Sequence, residues 1–337
     1  MSTHAAVLTG LGGYLPPRTV TNEELSDRLD TSDEWIRKRT GIRQRHVVDP
    51  GVATGDLAVE AGHRALKSAG AQGWNAVDMV VVATTTPDHP LPGTAPNVAA
   101  RLGLGPVAAL DVQAGCSGFV YALATATAAL AAGHAEGVLV IGAEVFSNVL
   151  NPADRTTAVI FGDGAGAIVL RAGDRDEPGA VLGVDLGSDG TGLELATIPG
   201  GGARQRASGR QPRPDEGYVQ MNGKEIFLQA VRRMAASSSA VLGKVGWSVD
   251  QIDHVVGHQA NLRILHSLAQ QLGVDKRRVV SHIESAGNTS AASIPLALAD
   301  AAARSRFRPH DRLLLTAFGA GLTWGSAALT WPQTTLV

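Results

Sequence analysis

Residues 109–133 read ALDVQAGCSGFVYALATATAALAAG, and residues 277–302 read RRVVSHIESAGNTSAASIPLALADAA. Each stretch passes from an apolar, strand-like segment through an elbow of small residues into an alanine-rich segment with helical character. An apolar run also precedes and follows each stretch: NAVDMVVVATTTP at 75–87 and GVLVIGAEV at 137–145, then SVDQIDHVVGHQAN at 248–261 and DRLLLTAFGAG at 311–321. Because the same order of strands, elbow and helix occurs twice, the sequence predicts an internal duplication.

Short apolar runs alternate with alanine-rich segments over most of the chain. The runs that predict strands buried on both faces are Met79–Ala83, Val138–Gly142, Ile168–Leu170, Val255–Val256 and Leu313–Leu315. Such alternation is typical of α/β proteins built in layers. The glycine- and arginine-rich stretch at 188–215 is predicted to be a surface loop.

Composition excludes several classes of protein. The 337 residues are 44% hydrophobic, which is enough to bury a large core. A net charge of -2 argues against binding to nucleic acid or to an anionic membrane surface. The single cysteine rules out an intrachain disulfide, and neither a signal peptide nor a long apolar span is evident. We therefore expect a cytoplasmic protein that has no membrane segment.

Cys116 lies in the elbow GCSGF, directly before a long alanine-rich segment. Amides at a helix N-terminus favour a thiolate over a thiol, so the position predicts a reactive nucleophile. Taken alone, a single cysteine in such a segment is more often a packing residue. The duplication strengthens the nucleophile hypothesis, because Asn288 occupies the matching position in the second elbow.

His258 and Asn288 have both ordinary and catalytic interpretations. His258 follows an apolar strand in VVGHQAN, where a histidine often just completes a hydrogen bond, and Asn288 in AGNTSAAS resembles a helix cap. A neutral imidazole and a carboxamide, however, are donors that can hold an enolate oxygen without acting as strong bases. Combined with a cysteine nucleophile, they suit acylation followed by decarboxylative carbon–carbon bond formation.

Metal and dinucleotide chemistry are not indicated by the sequence. FGDGAG at 161–166 lacks both the last glycine of a dinucleotide fingerprint and the helix expected after it. Histidine and acidic residues do not show metal-ligand spacing, so we predict no metal.

Six motifs together resemble the β-ketoacyl-acyl carrier protein synthase III family: TSDEWIRKRTGIRQRH, AGCSGF, FGDGAGA, HQANLRI, GNTSAAS and FGAGLTWGSA. The resemblance extends from Gly10 to Leu329. It implies a thiolase-like α/β fold, an αβαβα layered sandwich of duplicated halves at residues 1–180 and 181–337. The implied enzyme is an acyltransferase that initiates fatty-acid synthesis by condensing an acyl-CoA with malonyl-acyl carrier protein.

The resemblance also implies roles for individual residues. Cys116 corresponds to the acylated nucleophile, His258 and Asn288 to the decarboxylation pair, and the amides of Cys116 and Ala320 to the oxyanion hole. The positions matching the CoA and pantetheine channel are Thr31, Trp35, Arg39, Arg155, Gly223 and Asn261, of which Trp35 and Arg155 enclose the adenine. Arg263 matches the basic patch that meets the carrier protein. No cofactor is expected to remain bound, since acyl-CoA is a substrate.

Two positions depart from the family pattern. Leu91 in PDHPLPG replaces a bulky aromatic residue found in acetyl-selective members, which leaves the starter acyl group open. In the family this loop crosses a homodimer interface to close the partner's acyl pocket, to which Phe161 and Leu150 are also expected to contribute. Lys224 lies at a variable position and is given no role.

Related activities remain as alternatives. A degradative thiolase would need a second cysteine, a hydroxymethylglutaryl-CoA synthase would need a glutamate base where only Glu284 is near, and plant-type polyketide synthases are longer. A secondary-metabolism relative that primes a polyketide or transfers its acyl group to another acceptor is the nearest rival. A catalytically inactive acyl-CoA-binding protein is disfavoured because Cys116, His258 and Asn288 are all present.

Overall fold

The computed structural model describes residues 4–333. The strands are β1 His4–Tyr14, β2 Arg18–Thr21, β3 Gln44–Val47, β4 Met79–Ala83, β5 Ala108–Val112, β6 Gly137–Glu144, β7 Gly164–Asp174, β8 Ala180–Ser188, β9 Ala196–Thr197, β10 Gln220–Met221, β11 His254–Gly257, β12 Arg312–Gly319 and β13 Thr323–Thr330. The α-helices are α1 Asn22–Ser26, α2 Asp33–Thr40, α3 Thr54–Ala76, α4 Ala95–Arg101, α5 Gly118–Ala131, α6 Ala203–Ala207, α7 Gly223–Val245, α8 Leu262–Leu272, α9 Ile283–Ala286 and α10 Ser293–Ala303.

The main sheet repeats one arrangement of strands in both halves of the chain. In the first half the order is β5-β4-β6-β7-β1, with β4 parallel to its neighbours and β7 antiparallel to both β6 and β1. In the second half the order is β11-β12-β13-β8, again parallel first and then antiparallel. The counterpart of β5 is reduced to one parallel bridge between Val255 and Val279. The predicted duplication is therefore visible in the topology, whereas the boundary after residue 180 stays a prediction.

The two half-sheets meet along one edge. β1 and β8 share only two antiparallel pairs, Ala6 with Val181 and Val7 with Ala180. This short contact joins nine strands into one continuous sheet instead of two separate ones.

Helices cover the sheet in the layers that the resemblance implies. α3 and α4 pack on the outer face of the first half, and α7 and α8 pack on the outer face of the second. α5 and α10 lie between the halves, where Phe119 and Leu298 belong to a core cluster that also contains Val140 and Leu315. The αβαβα sandwich is confirmed, and it brings the elbows before α5 and α10 to the same central region.

Most local predictions from the sequence are confirmed. Met79–Ala83 coincides with β4, and the other four predicted runs lie inside β6, β7, β11 and β12. FGDGAG leads into β7, with no helix after it. The stretch at 188–215 is mostly surface, although it also contains β9 and α6. No helix within residues 4–333 is long and apolar enough to cross a membrane.

Candidate active site

The first elbow places Cys116 immediately before the buried helix α5. Gly115, Cys116 and Ser117 form a short 3-10 turn, and Gly115 has a φ of 54° that favours glycine. Because α5 begins at Gly118, the Cys116 side chain is presented at the helix N-terminus, as the sequence predicts.

The end of β12 packs directly against this elbow. A Cβ atom on Gly115 would lie 2.7 Å from the Ala320 amide nitrogen, and one on Gly319 would lie 2.6 Å from the Cys116 amide nitrogen. Only glycine at both positions permits this approach of the two backbones. The amides of Cys116 and Ala320, which were predicted to form an oxyanion hole, therefore belong to adjacent segments that line one cavity.

Burial opposes the thiolate that the helix N-terminus favours at Cys116. Burial raises the pKa of the Cys116 thiol to about 12, and the nearby Glu144 carboxyl raises it further. Hydrogen bonds from Ser290 and from the backbone amide of Cys116 act in the opposite direction without reversing the shift. The loss of water around the thiol is the largest of these effects on its pKa.

His258 enters the cavity from the end of β11. Its backbone N–H extends the sheet by donating to the Thr316 carbonyl at 2.8 Å, and the residue is only 3% exposed. Burial lowers the pKa of the imidazole to about 3, so the ring is neutral near pH 7.

A serine selects the tautomer of His258. The Ser293 Oγ lies 2.7 Å from Nδ1 of His258, and it also accepts the backbone N–H of Gln259 at 3.3 Å. Its own hydrogen can be donated to Nδ1, and in that arrangement the ring hydrogen lies on Nε2. His258 then acts as a hydrogen-bond donor toward a ligand.

Asn288 is held by the backbone on both sides. Its backbone N–H donates to the Ile160 carbonyl, and its backbone carbonyl accepts the N–H of Gly162. The side-chain Oδ1 accepts the Ser290 N–H at 2.8 Å, and since a backbone N–H can only donate, Nδ2 must be the group that remains for the cavity. The capping interpretation and the catalytic one are thus compatible, because the oxygen makes the local bond while the nitrogen stays available.

One cavity of about 550 Å³ joins these groups, and part of its lining is apolar. The sequence-predicted residues along it are Cys116, Phe161, Gly223, His258, Asn261, Asn288 and Ala320. Glu284, considered above as a possible base, instead forms an exposed salt bridge with Arg43 at 3.2 Å. The fold therefore collects side chains from both halves of the chain into a single site.

Trp35 and Arg155 lie next to each other outside this cavity. The guanidinium carbon of Arg155 is 5.5 Å from the centre of the Trp35 indole, and that of Arg39 is 4.3 Å away. A flat base in contact with both Trp35 and Arg155 needs about 7 Å between them, since each contact takes about 3.5 Å. Arg155, which also pairs with Asp30 at 2.8 Å, must therefore shift outward before a base can be enclosed.

The other residues predicted for CoA and the carrier protein are placed around helix termini. Gly223 begins α7, and the Asn261 side chain caps α8 while its amide donates to the Arg39 carbonyl at 3.0 Å. Arg263 lies on the first turn of α8 with its guanidinium over the Phe227 ring. The Thr31 hydroxyl is buried and has no hydrogen-bond partner within residues 4–333.

An aromatic cluster forms the apolar side of the cavity. Phe161 stacks on Phe146 with ring centres 4.2 Å apart, and Val219 packs against both. Leu150 packs on the same cluster, whereas Leu91 is 87% exposed and does not line the cavity of its own chain. Sequence reasoning missed Phe146 and Val219 because their contact with Phe161 depends on tertiary packing.

Sequence reasoning also missed Glu144 and Ser290. Glu144 is the last residue of β6, a strand that is buried along its whole length. A charged residue at the end of such an apolar run is a signal that could have been noticed, since buried carboxyl groups need partners. Ser290 lies two residues beyond Asn288, and its φ of 49° is uncommon for a residue other than glycine.

Comparison with known proteins agrees with this geometry. Residues 110–190 match the family model for 3-oxoacyl-[acyl-carrier-protein (ACP)] synthase III, and residues 242–331 match the model for its C-terminal part. The chain is 60% identical over 331 residues to beta-ketoacyl-[acyl-carrier-protein] synthase III 5 of Streptomyces coelicolor, with 98% of each protein covered.

Two solved structures have the same fold. The 3-oxoacyl-(acyl carrier protein) synthase III of Pseudomonas aeruginosa PAO1 superposes with a TM-score of 0.91 at 49% identity, covering 98% of this chain and 99% of that one. The priming β-ketosynthase of the R1128 polyketide pathway superposes with a TM-score of 0.89 at 35% identity, covering 98% and 97%.

A duplicated five-layer fold that directs a cysteine, a histidine and an asparagine into one cavity defines a condensing enzyme of the thiolase superfamily. Within that class, the chain belongs to the β-ketoacyl-acyl carrier protein synthase III family. The resemblance inferred from the six motifs is confirmed.

Proposed function

We propose that this enzyme transfers an acyl group from acyl-CoA to Cys116 and condenses it with malonyl-acyl carrier protein, which initiates fatty-acid synthesis. The main support is one observation: a thiol, an imidazole N–H and a carboxamide NH₂ line the same cavity. The experiment that tests it is incubation with a panel of acyl-CoAs and then malonyl-acyl carrier protein, with intact-mass analysis after each step. Acyl transfer to a residue other than Cys116, or release of product without condensation, would contradict the proposal.

Acylation uses the elbow. The Cys116 sulfur attacks the thioester carbonyl, and the amides of Cys116 and Ala320 donate to the oxyanion of the tetrahedral intermediate. Backbone amides are suited to this role because they are already oriented by the packing of Gly115 against Ala320.

Decarboxylation uses the other two groups. As carbon dioxide leaves the malonyl unit, negative charge develops on the thioester oxygen, and Nε2–H of His258 and the Nδ2 hydrogens of Asn288 stabilise it. The imidazole stays neutral because burial lowers the pKa of His258 to about 3. The resulting enolate carbon attacks the acyl-Cys116 carbonyl, and the thiol is regenerated.

Ser293→Ala should weaken decarboxylation without changing the extent of Cys116 acylation. Without the Ser293 hydroxyl, the ring hydrogen of His258 is no longer confined to Nε2, and the lost bond to a buried nitrogen costs about 1–3 kcal/mol. We expect kcat for malonyl decarboxylation to fall about tenfold. Ser293→Thr, which keeps the hydroxyl, should restore most of the rate, and equal loss in both variants would contradict the tautomer role.

We propose that CoA enters past Trp35 and Arg155, while the pantetheine arm follows Thr31, Arg39, Gly223 and Asn261 toward Cys116. The Trp35 ring already carries the guanidinium groups of Arg39 and Arg155, and this supports stacking of a flat base once Arg155 has shifted outward. Arg263 is exposed beside this entrance, where its charge suits an acidic carrier protein.

Trp35→Ala should raise the KM for acyl-CoA about tenfold and change kcat little, because base stacking contributes about 1–3 kcal/mol and is remote from the reacting carbon. Steady-state kinetics over a range of acyl-CoA concentrations measures both constants. Trp247→Ala is the matched control, since Trp247 carries Arg312 over its ring at 5.2 Å and does not line the cavity. Equal KM values for wild type and Trp35→Ala would remove Trp35 from the CoA site.

We propose that the acyl chain packs against Phe146, Phe161 and Val219, and that Leu91 from a second subunit closes this pocket in a homodimer. Leu91 is exposed in the single chain, and β5 carries the exposed Leu110 on an edge strand. Both observations are consistent with an apolar contact between two copies.

Leu91→Phe should shift substrate preference toward acetyl-CoA. Leucine is smaller than phenylalanine, and each methylene that the pocket accepts is worth roughly 0.8 kcal/mol, or about fourfold in kcat/KM. The measurement is kcat/KM for acetyl-, butyryl- and isobutyryl-CoA in both proteins. If wild type already prefers acetyl-CoA by about tenfold or more, roughly 1.4 kcal/mol, the pocket is smaller than proposed.

Priming of a polyketide remains a second candidate, because the R1128 priming β-ketosynthase has the same fold at 35% identity. Comparing condensation rates with fatty-acid and polyketide carrier proteins distinguishes the two. Faster condensation with the polyketide carrier would favour the second candidate.

A further inference from the structure

Glu144 is a fully buried carboxyl group to which the proposed reaction assigns no role. Its oxygens accept hydrogen bonds from the Thr86 hydroxyl at 2.7 Å, the Thr85 hydroxyl at 2.9 Å, the Thr85 N–H at 3.1 Å and the Thr84 hydroxyl at 3.3 Å. Ser290 Oγ donates to the same carboxyl group at 3.0 Å. Every group in this set donates a hydrogen, so the set suits a carboxylate, which only accepts.

The surrounding bonds direct these hydroxyl hydrogens toward Glu144. The Thr86 oxygen accepts the N–H of Val145 at 3.0 Å, and the Thr84 oxygen accepts the N–H of Thr86 at 3.1 Å. Each hydroxyl therefore has its hydrogen free to donate to the carboxyl group. Burial raises the pKa of Glu144 in spite of these donors, which makes its carboxylate a stronger proton acceptor.

Ser290 connects this carboxylate to the nucleophile. Ser290 and Cys116 line the same cavity, the Ser290 hydroxyl lowers the pKa of the Cys116 thiol, and the same hydroxyl donates to Glu144 Oε1 at 3.0 Å. The left-handed backbone conformation of Ser290, with φ of 49°, costs roughly 1 kcal/mol or more and is maintained by the turn that also orients Asn288. The Ser290 hydroxyl thus lies between the thiol and the carboxylate.

The thiol needs a proton acceptor when it attacks a thioester. Burial raises the pKa of Cys116, so the resting group is a thiol near pH 7. His258 is a poor acceptor, because its Nδ1 is occupied by Ser293 and burial lowers its pKa to about 3. The Ser290 hydroxyl and the carboxylate behind it remain as the path for the proton.

We propose that Glu144 takes the Cys116 proton through Ser290 during acylation and returns it along the same path to the departing CoA sulfur. As the bond from Sγ to the carbonyl carbon forms, the thiol hydrogen moves to Ser290 Oγ and the Ser290 hydrogen moves to Glu144 Oε1. When the bond between the carbonyl carbon and the CoA sulfur breaks, Ser290 Oγ gives its hydrogen to the CoA sulfur, Glu144 returns its proton to Ser290 Oγ, and CoA leaves as a thiol. The inference rests on the proposed acylation of Cys116.

The ionisable groups around this path are few. The Glu144 charge raises the pKa of Cys116. Cys116 and His258 are the ionisable groups that line the cavity. The groups that reach Glu144 from the β4 end and from the Asn288 turn are threonine and serine hydroxyls and one amide. The pH dependence of acylation therefore reports mainly on the Cys116 proton.

The test is single-turnover acylation by acetyl-CoA and isobutyryl-CoA, measured by rapid quench between pH 6 and 9.5. Glu144→Gln and Ser290→Ala should each acylate at least tenfold more slowly than wild type at pH 7. Their rates should recover as pH rises, because hydroxide then removes the proton directly. Ser290→Ala keeps the backbone N–H that orients Asn288. If Glu144→Gln does not fold, Ser290→Ala still tests the proton path.

Ser117→Ala is the matched control, since within residues 4–333 this buried hydroxyl next to Cys116 bonds to Ala114 and Thr323 alone. Its acylation rate should stay within twofold of wild type. If Glu144 acted only through its charge, Glu144→Gln would acylate as fast as wild type or faster, which would overturn the proposal. So would a slow rate that does not recover at high pH, because that is the mark of a structural defect.

Alkylation of Cys116 by iodoacetamide over the same pH range separates failure of this inference from failure of the proposed function. If no acyl-CoA acylates wild type, the proposed function fails. Tenfold slower alkylation of both variants at pH 7, recovering at high pH, would still support the proton path. Unchanged or faster alkylation in Glu144→Gln would refute it.

Discussion

His258→Ala and Asn288→Ala should each lower malonyl decarboxylation by about 10²- to 10³-fold, the usual effect of removing one donor from an oxyanion site. Both variants should still form the acyl-enzyme, because the thiol and the amides of Cys116 and Ala320 remain in place. Release of labelled carbon dioxide measures the first reaction, and intact-mass analysis measures the second. Cys116→Ala should show the reverse pattern, with no acyl-enzyme.

His254→Ala is a suitable control for these variants. His254 begins β11, the strand that His258 follows, but its ring pairs with Asp311 at 3.1 Å and does not line the cavity. It should therefore leave decarboxylation nearly unchanged. Loss of acylation in His258→Ala to the same degree as decarboxylation would mean that the imidazole serves the first step, which would contradict the separation of roles.

Gly319→Ala should abolish most activity without touching any side chain that takes part in the reaction. The new Cβ would lie 2.6 Å from the Cys116 nitrogen, 2.8 Å from the Ser117 nitrogen and 2.9 Å from the Ala114 oxygen. Backbone atoms on the elbow cannot turn aside as a flexible side chain can, so β12 and the elbow must separate. We expect acylation to fall at least 10²-fold and the free energy of unfolding to fall by about 1–3 kcal/mol.

Gly243→Ala is the matched glycine substitution. Gly243 lies inside α7, and a Cβ there would meet no atom within 4 Å. Alanine should raise helix stability by roughly 0.5–1 kcal/mol and leave acylation unchanged. Denaturant unfolding and single-turnover acylation measure both effects. Full activity in Gly319→Ala would show that the elbow tolerates a displacement that the packing argument forbids.

The roles of the two elbows illustrate how far sequence reasoning reached. Small residues at Gly115 and Gly287, each before an alanine-rich helix, are local features, so the duplication and its layered architecture were predictable from strand and helix periodicity. The nucleophile candidate followed from the same pattern. Neither prediction required knowledge of which residues meet in space, because both depend on residues that are neighbours along the chain.

The electrostatic state of the site was not predictable in this way. A helix N-terminus predicts a thiolate at Cys116, but burial and Glu144 raise the pKa of that thiol instead. Desolvation depends on how many atoms from distant segments cover the sulfur, which the residues flanking Cys116 do not specify.

The sequence by itself therefore determined the α/β layers and the duplication from local patterns, and its resemblance to a known family implied the five-layer fold and the roles of Cys116, His258 and Asn288. Tertiary structure decided how these groups are oriented and charged. The tautomer of His258 depends on Ser293, 35 residues away, and the carboxylate behind Cys116 contacts a serine 146 residues along the chain. Hydrogen bonds act over about 3 Å, so such partners exist only after the two halves have packed together.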